Sequence, residues 1–227
     1  MAAALSREAY FDTGLEVLSE LGYGGLKLAE VCKRLGVTTG SFYHFFTSWP
    51  VYTSELIQHW LTTRTVHQME LVLNITDARQ RLDALIEIGL LLPHRAEAAI
   101  RSWSSADQRV HAVQAEVDRQ RFEILRDAAL EVRGDPAQAH LFASCAMYLL
   151  IGYEQSLLPG DATSLHWMAA QLLDTLDSGR FGMAHDIISS PIAHSAVADS
   201  SVAHSSTSSG APLNSGQFAT SAGPSEG

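Results

Sequence analysis

The chain has 227 residues, of which 46% are hydrophobic and 18% charged, and its formal net charge at pH 7 is −10. A chain of this length and apolar fraction buries a substantial core, and its negative charge argues against nonspecific coating of nucleic acid. The sequence does not begin like a signal peptide, and its apolar stretches are far shorter than the roughly 20 residues that span a bilayer. With only two cysteines, a disulfide framework is not expected, and we predict a cytoplasmic protein without membrane contact.

The first part of the chain predicts four helices, because its hydrophobic residues recur at helical spacing. They are Arg7 to Leu21, stopped by Gly22; a short helix over Leu28 to Leu35, stopped by Gly36; a third helix capped by Thr38; and a fourth from Trp49-Pro50 to about Met69. Threonine is a favoured N-cap and proline is tolerated in a first helical turn.

Five further helices are predicted behind that part. They are Asp77 to Leu91; Glu97 to Trp103; a long helix opened by the capping box Ser105 to Gln108 and running to about Val132; Ala137 to Tyr153, with Asp135 as cap and Pro136 at the first position; and Leu165 to Leu176. The predicted fold is therefore all-α, with about nine helices and no strand. Beyond residue 183 the Ser-, Ala- and Gly-rich composition predicts disorder, because it buries too little apolar surface.

Charge is unevenly distributed along the chain. Residues 1–64 carry five basic and six acidic side chains, whereas the remainder carries ten basic and nineteen acidic ones. The only two lysines, Lys27 and Lys33, fall in the nearly neutral first segment. This asymmetry favours a DNA-facing N-terminal part on an acidic body.

The second and third helices flank a tight turn at Gly36-Val37, an arrangement typical of a helix-turn-helix. Small and polar side chains at the N-terminus of the second of these helices suit close approach to the major groove. Tyr43 and His44, one turn further on, are within reach of backbone phosphates. The candidate DNA contacts are Lys27, Lys33, Thr38, Thr39, Gly40, Ser41, Tyr43 and His44. For Tyr43 a packed surface tyrosine, and for Lys33 an ordinary solvated helix face, are the alternatives.

The segment resembles the TetR family of repressors. The resemblance rests on Gly22-Tyr23, Val31-Cys32, the run from Gly36 to Tyr43, and Phe46. It implies an all-α dimer that binds a double-stranded DNA operator with its second and third helices and holds a ligand in the larger domain. On this basis we predict a helix-turn-helix domain over residues 1–48, a ligand-binding and dimerisation domain over 49–182, and a disordered tail over 183–227.

Three positions depart from the family pattern. Lys27 replaces a hydroxyl N-cap, Phe45 replaces a His or Tyr, and Trp49 replaces a lysine that contacts phosphate. A smaller number of contacts between cationic side chains and phosphates lowers the affinity for DNA. It also makes the slope of log affinity against log salt concentration shallower.

The resemblance also implies where ligand and partner bind. The implied ligand cavity should have apolar or aromatic wall residues and a few polar residues that orient the ligand, which we call anchors. For each wall residue, ordinary core packing is the alternative. The wall candidates are Trp60, Met69, Trp103, Phe122 and Tyr148, and the anchors are His94, Arg101 and Tyr153. Apolar stripes on the last two helices suit a four-helix bundle between two chains. The dimer candidates are Phe142, Ala146, Leu149, Leu150, Leu165, Met168 and Leu172.

Two other classes of protein are alternatives to a DNA-binding repressor. No phosphate loop, nucleophile elbow or zinc-spaced histidine pair is present in the sequence, so we predict no enzyme, cofactor or metal. A dimeric ligand-binding or interaction module that has lost DNA recognition is the second alternative, motivated by the acidic total and by Trp49. The sequence predicts a homodimeric repressor released by a small apolar ligand, although activation fits the same fold.

Overall fold

The computed structural model describes residues 5–63, 72 and 74–182, and within these ranges it is helical with no strand. The nine helices of the described ranges are α1 (Arg7–Gly25), α2 (Leu28–Leu35), α3 (Thr39–Phe45), α4 (Trp49–Leu61), α5 (Ala78–Leu90), α6 (His94–Ser104), α7 (Gln108–Arg133), α8 (Pro136–Gln155) and α9 (Ala162–Asp177). The all-α prediction is confirmed. Met69 and the tail over 183–227 lie outside the described residues.

Helix ends in the N-terminal part follow the local sequence. Gly22 has φ 67° and ψ −175°, which interrupts α1 at the predicted stop. Gly36 is left-handed at the end of α2, a conformation that glycine adopts without steric cost. The Thr38 hydroxyl accepts the Ser41 backbone N–H at 3.2 Å and so caps α3 as predicted.

The start of the long helix α7 differs from the prediction. Ser105 is itself helical and terminates α6, so it cannot serve as the extended N-cap that a capping box requires. Asp107 caps α7 instead, its carboxylate accepting the Arg109 N–H at 2.9 Å. The preceding helix α6 begins at His94, three residues before the predicted start.

An aromatic cluster fills the space between α1, α3 and α4. Tyr10, Phe42 and Tyr52 are fully buried, and the Tyr52 hydroxyl donates to the Tyr10 carbonyl at 2.8 Å. Gly14 faces the same ring, and a Cβ there would lie 2.2 Å from the Tyr52 hydroxyl oxygen. This packing fixes α3 from behind.

The same core continues into α6 and the start of α7. Ile100, Trp103 and Val110 belong to the buried cluster that contains the aromatic residues of the first helices. Tyr23 at the end of α1 stacks on Trp103, with ring centroids 4.9 Å apart. The helix-turn-helix is therefore supported by residues far along the chain.

A second core lies between α5, α7, α8 and α9. Its fully buried members include Leu82, Phe142 and Leu176. Small residues on α7 and α8, among them Ala129 and Ala139, permit close approach of these two helices. Over the described residues, none of the helices has the length and apolarity needed to cross a membrane.

Candidate DNA interface and ligand site

The N-terminal half of α3 is presented to solvent while its opposite face is buried. Thr38, Thr39 and Gly40 are exposed, and Tyr43 keeps 55% of its surface exposed. Phe42, between them, is fully buried. The Thr39 hydroxyl and the first amide donors of the helix are thus available to bases and phosphates.

The other predicted DNA contacts lie on or beside this surface. His44, Lys27 and Lys33 are exposed, and Ser41 is half-buried. The Ser41 hydroxyl lies 3.2 Å from the Thr38 hydroxyl, so these two oxygens are partly committed to the cap. Thr39 and Tyr43 have no such commitment among the described residues.

Two arginines of the first helices are held by carboxylates. Arg34 pairs with Glu30 at 3.0 Å and with Glu20 at 2.9 Å, while Arg7 pairs with Glu55. Their charge is therefore largely balanced within the protein. Exposed and weakly paired positive charge beside α3 rests on the two lysines, of which Lys33 lies 3.6 Å from Glu30.

The three departures from the family pattern have visible structural consequences. Lys27 begins α2 without a side-chain capping bond. Phe45 packs against Tyr10, with ring centroids 5.3 Å apart. Trp49 packs on Tyr52 at 4.9 Å and so extends the aromatic cluster at the position where the pattern has a lysine.

The predicted dimer residues divide into two groups. Phe142, Ala146 and Leu165 are buried within this single chain. The half-buried group consists of Leu149, Leu150, Met168 and Leu172. The surfaces of α8 and α9 also carry Tyr148 and Trp167, which are 74% and 64% exposed.

Several of those residues surround an apolar cavity of about 60 Å³ between α5, α8 and α9. From α5 it is lined by Leu85 and Leu90, and small side chains at Gly89 and Ala169 leave the space open. Its lining also includes Ala146, Leu149, Leu150, Leu165 and Leu172. Residues expected at a partner surface therefore line an apolar cavity that is partly open to solvent.

The predicted wall residues are dispersed. Trp60 and Trp103 are buried in the core shared with the first helices, and Phe122 packs edge-on against His140 at 5.3 Å. Tyr148 lies on the surface. None of these four residues lines the apolar cavity between α5, α8 and α9.

The predicted polar anchors, in contrast, come together. His94 Nδ1 lies 3.5 Å from Glu154 Oε1, and Arg101 Nη2 lies 3.7 Å from the other oxygen of that carboxylate. Tyr153 packs edge-on against the His94 ring at 4.9 Å. Residues from α6 and α8 thus form one polar cluster.

Sequence reasoning missed the acidic half of this cluster. Glu97 is 1% exposed and its carboxylate accepts from Arg121 Nη1 at 3.0 Å. Asp118 accepts two bonds from Arg101, at 2.7 and 3.0 Å. The signal was the spacing of charged residues on one helix face, at i, i+3 and i+7 on α6 and at i and i+3 on α7. We refer to His94, Glu97, Arg101, Asp118, Arg121 and Glu154 as the buried ionic cluster.

Burial and pairing shift two pKa values in this cluster. The Glu154 side chain is fully inaccessible, and loss of hydration raises the pKa of its carboxyl group. The hydrogen bond to Glu154 raises the pKa of His94. Both groups therefore hold a proton more readily than they would in water.

An exposed helix at the second position of a helix-turn-helix, carried on a helical body, is the arrangement found in helix-turn-helix DNA-binding regulators. Residues 11–48 match the model of bacterial regulatory proteins of the tetR family. No curated protein matches the sequence. Over residues 11–48 the helix-turn-helix segment is similar to that of the TetR family, which confirms the resemblance that the sequence predicted.

Solved structures share the fold at low sequence identity. A TetR regulator from Haloarcula marismortui has a TM-score of 0.63 and 16% identity, covering 76% of this chain and 96% of that one. A regulator from Saccharomonospora viridis in complex with choline has a TM-score of 0.61 and 14% identity, covering 74% and 95%. FadR from Bacillus subtilis, in complex with stearoyl-CoA, has a TM-score of 0.58 and 16% identity, covering 77% and 99%.

Proposed function

We propose that this protein is a homodimeric transcriptional repressor that binds a double-stranded DNA operator through α2 and α3 and is released by a small apolar ligand. The observation that carries the proposal is the contrast on α3. Thr39 and Tyr43 are exposed while Phe42, between them, is fully buried. A helix held from behind and polar in front is what entry into the major groove requires.

Repression and release would follow from the spacing of two such helices in a dimer. Successive major grooves on one side of DNA are about 34–36 Å apart. The two α3 helices of a dimer can therefore enter them at only one separation. A ligand that binds more tightly to another spacing shifts the population away from DNA. The cavity between α5, α8 and α9, together with the choline and stearoyl-CoA complexes of structurally similar regulators, supports a ligand site in the body.

Dimerisation is proposed to use the outer faces of α8 and α9. Tyr148 and Trp167 are large and exposed there, and the half-buried residues Leu149 and Met168 lie beside them in sequence. Aromatic side chains at a surface favour a protein interface over solvent. Because its proposed partner is a double-stranded DNA operator, the dimer would act in the cytoplasm.

The test is binding of the purified protein to the DNA upstream of its own gene, followed by fluorescence anisotropy with random DNA as competitor. We expect a specific complex that Tyr43→Ala weakens about tenfold or more, in line with the 1–3 kcal/mol typical of a specific contact. His111→Ala, an exposed change on α7, is the matched control. A Tyr43→Ala protein that binds as well as the wild type would contradict the assigned interface.

A second candidate is a dimeric module of the same fold that has lost DNA recognition. It is favoured by the pairing of Arg7 and Arg34 with carboxylates and by Trp49 at the start of α4. Genomic fragments tested in the same assay separate the two functions, because the module forms no complex that survives competition. Reporter expression with and without the protein then distinguishes repression from activation.

A further inference from the structure

The buried ionic cluster contains one carboxylate that lacks a close partner. Arg121 is paired with Glu97 at 3.0 Å, and Arg101 forms a two-bond pair with Asp118. Once these pairs are formed, the remaining acid is Glu154. Its contacts with positively charged or titratable groups are His94 at 3.5 Å and Arg101 at 3.7 Å.

This leftover carboxylate is costly to bury. The Glu154 side chain has no accessible surface, and its Oε2 atom has no hydrogen bond. Oε1 has only the long contact with His94 at 3.5 Å, so the hydration that this buried carboxylate loses is only partly compensated. A hydrogen-bonding cation beside Glu154 would remove this deficit.

Glu154 does not line the apolar cavity between α5, α8 and α9, but it lies one helical turn beyond Leu150, which does. On α8 it follows Met147 and Leu150, two residues that line the cavity, at the i, i+3, i+7 spacing of one helix face. On the α5 side, the Leu90 carbonyl lies 3.2 Å from His94 Nε2, and Leu90 lines the cavity as well. The end of the cavity at Leu90 and Leu150 therefore lies one helical turn from Glu154 on α8 and in contact with His94 through the Leu90 carbonyl.

We propose that the ligand of this site carries a protonated amine that binds Glu154 and a compact apolar group that fills the cavity between α5, α8 and α9. The inference rests on the proposed function, which it refines by assigning the chemical class of the ligand. The cavity of about 60 Å³ suits a short alkyl group or a single small ring. The edge-on ring of Tyr153 beside His94 adds an aromatic wall near the charge.

An anionic ligand is the opposing case, since Arg101 Nε and Arg121 Nη2 lack hydrogen bonds. Each of these guanidinium groups, however, is already neutralised by its own carboxylate at 2.7–3.0 Å. A ligand carboxylate placed there would add a third charge to a balanced pair. The charge balance therefore favours a cation.

The ligand cation competes with a proton on His94. The charged groups that face His94 and Glu154 are Glu97 and Arg101 of α6 and Arg121 of α7, and the titratable Tyr153 of α8 packs against the His94 ring. A protonated His94 supplies positive charge to Glu154, so ammonium affinity should rise as pH increases past the His94 pKa, which lies above 6.5. Affinity for a neutral ligand of equal length should not follow this profile.

The test compares three probes of equal chain length, hexylammonium, hexan-1-ol and hexanoate, by isothermal titration calorimetry on the full chain without DNA. We expect hexylammonium to bind about tenfold or more tightly than hexan-1-ol, as a buried charge pair should, and hexanoate to bind least. Glu154→Gln should abolish the preference for ammonium and keep hexan-1-ol binding. The matched control is Glu116→Gln, an exposed acid on α7.

Tighter binding of hexanoate, equal binding of all three probes, or no binding at all would overturn the proposal. Should Glu154→Gln fail to fold, the probe series and its pH profile on the wild type decide alone. Binding of hexan-1-ol without an ammonium preference would leave the repressor and its apolar ligand standing. DNA binding is measured separately, so failure of the repressor function is recognised independently.

Discussion

The indole N–H of Trp60 donates to Glu97 Oε1 at 2.9 Å, across the interface between α4 and α6. The other oxygen of the same carboxylate accepts from Arg121 of α7. One buried carboxylate thus joins three helices, one of which leads directly out of the helix-turn-helix. If α6 moves relative to α4, the hydrogen bond between Trp60 and Glu97 must either break or keep the two helices moving together.

Replacing Glu97 with alanine should lower the free energy of unfolding by about 3–5 kcal/mol, because Arg121 would remain charged and unpaired in the interior. Urea denaturation followed by circular dichroism measures the change. Glu97→Gln keeps one oxygen acceptor and should cost less. Equal stability of Glu97→Ala and the wild type would mean that Arg121 finds another partner.

The two threonines at the start of α3 should separate stability from DNA binding. Thr38→Ala removes a capping bond and should destabilise the protein by about 1 kcal/mol, whereas Thr38→Ser should retain the cap. Thr39 makes no side-chain bond among the described residues, so Thr39→Ala should leave stability within about 0.5 kcal/mol of the wild type but weaken operator binding. Thermal denaturation and anisotropy on the same samples give both quantities. A Thr39→Ala protein with unchanged operator affinity would remove Thr39 from the interface.

Operator affinity should depend weakly on salt. Lys27 and Lys33 of each head offer about four cations per dimer, which predicts a slope of log affinity against log salt near −4. The double variant Lys27→Ala, Lys33→Ala should move the slope toward zero. Anisotropy over a range of salt concentrations measures it, and a slope much steeper than about −6 would show that cations outside α2 and α3 reach the phosphates.

Stability should fall as pH rises through the neutral range. The folded-state pKa of His94 is raised above the ordinary value of 6.5, so the native state binds the proton more tightly than the unfolded chain does. Its contribution is complete below pH 6.5 and is lost as pH rises through the raised folded pKa. Glu154 is shifted in the same direction from 4.5.

Urea denaturation at about pH 6, 7 and 8 measures this trend, since the histidine window lies in that range. His94→Gln should flatten it. The lowered pKa values of Glu30 and Glu116 act below 4.5 and do not enter this window. A profile in His94→Gln that matches the wild type would assign the proton to another group.

Trp167→Glu should convert the proposed dimer into monomers, because the side chain is 64% exposed on α9 and a charge opposes an apolar interface. Tyr148→Glu should act in the same way. Analytical ultracentrifugation measures the mass, and His111→Glu on α7 is the control that should stay dimeric. A dimer that persists in both α8 and α9 variants would place the interface elsewhere. Ala146 is a poorer target, since a charge there would enter the cavity.

Local signals were sufficient for much of the fold. Gly36 and Thr38 specify their turn and cap through their own conformations and hydroxyls, and the order of helices followed from periodicity. The Ser105 cap was wrong because the end of α6 decides the conformation of that residue. The ion pairs of Glu97 and Glu154 could not be predicted from the sequence, because their partners lie on other helices. These two acids stand out from the exposed ones only once their burial is known.

The core that runs from the aromatic cluster through Ile100 to Val110 limits how this protein can be recombined. If the helix-turn-helix domain were fused to the larger domain of a relative, its helices would lose the surface against which they pack. The stack of Tyr23 on Trp103 would be among the lost contacts. Chimaeric proteins should fold only when α4, α6 and the first turns of α7 are transferred together with the helix-turn-helix domain. The helix-turn-helix of this chain is therefore not a unit that can be exchanged by itself.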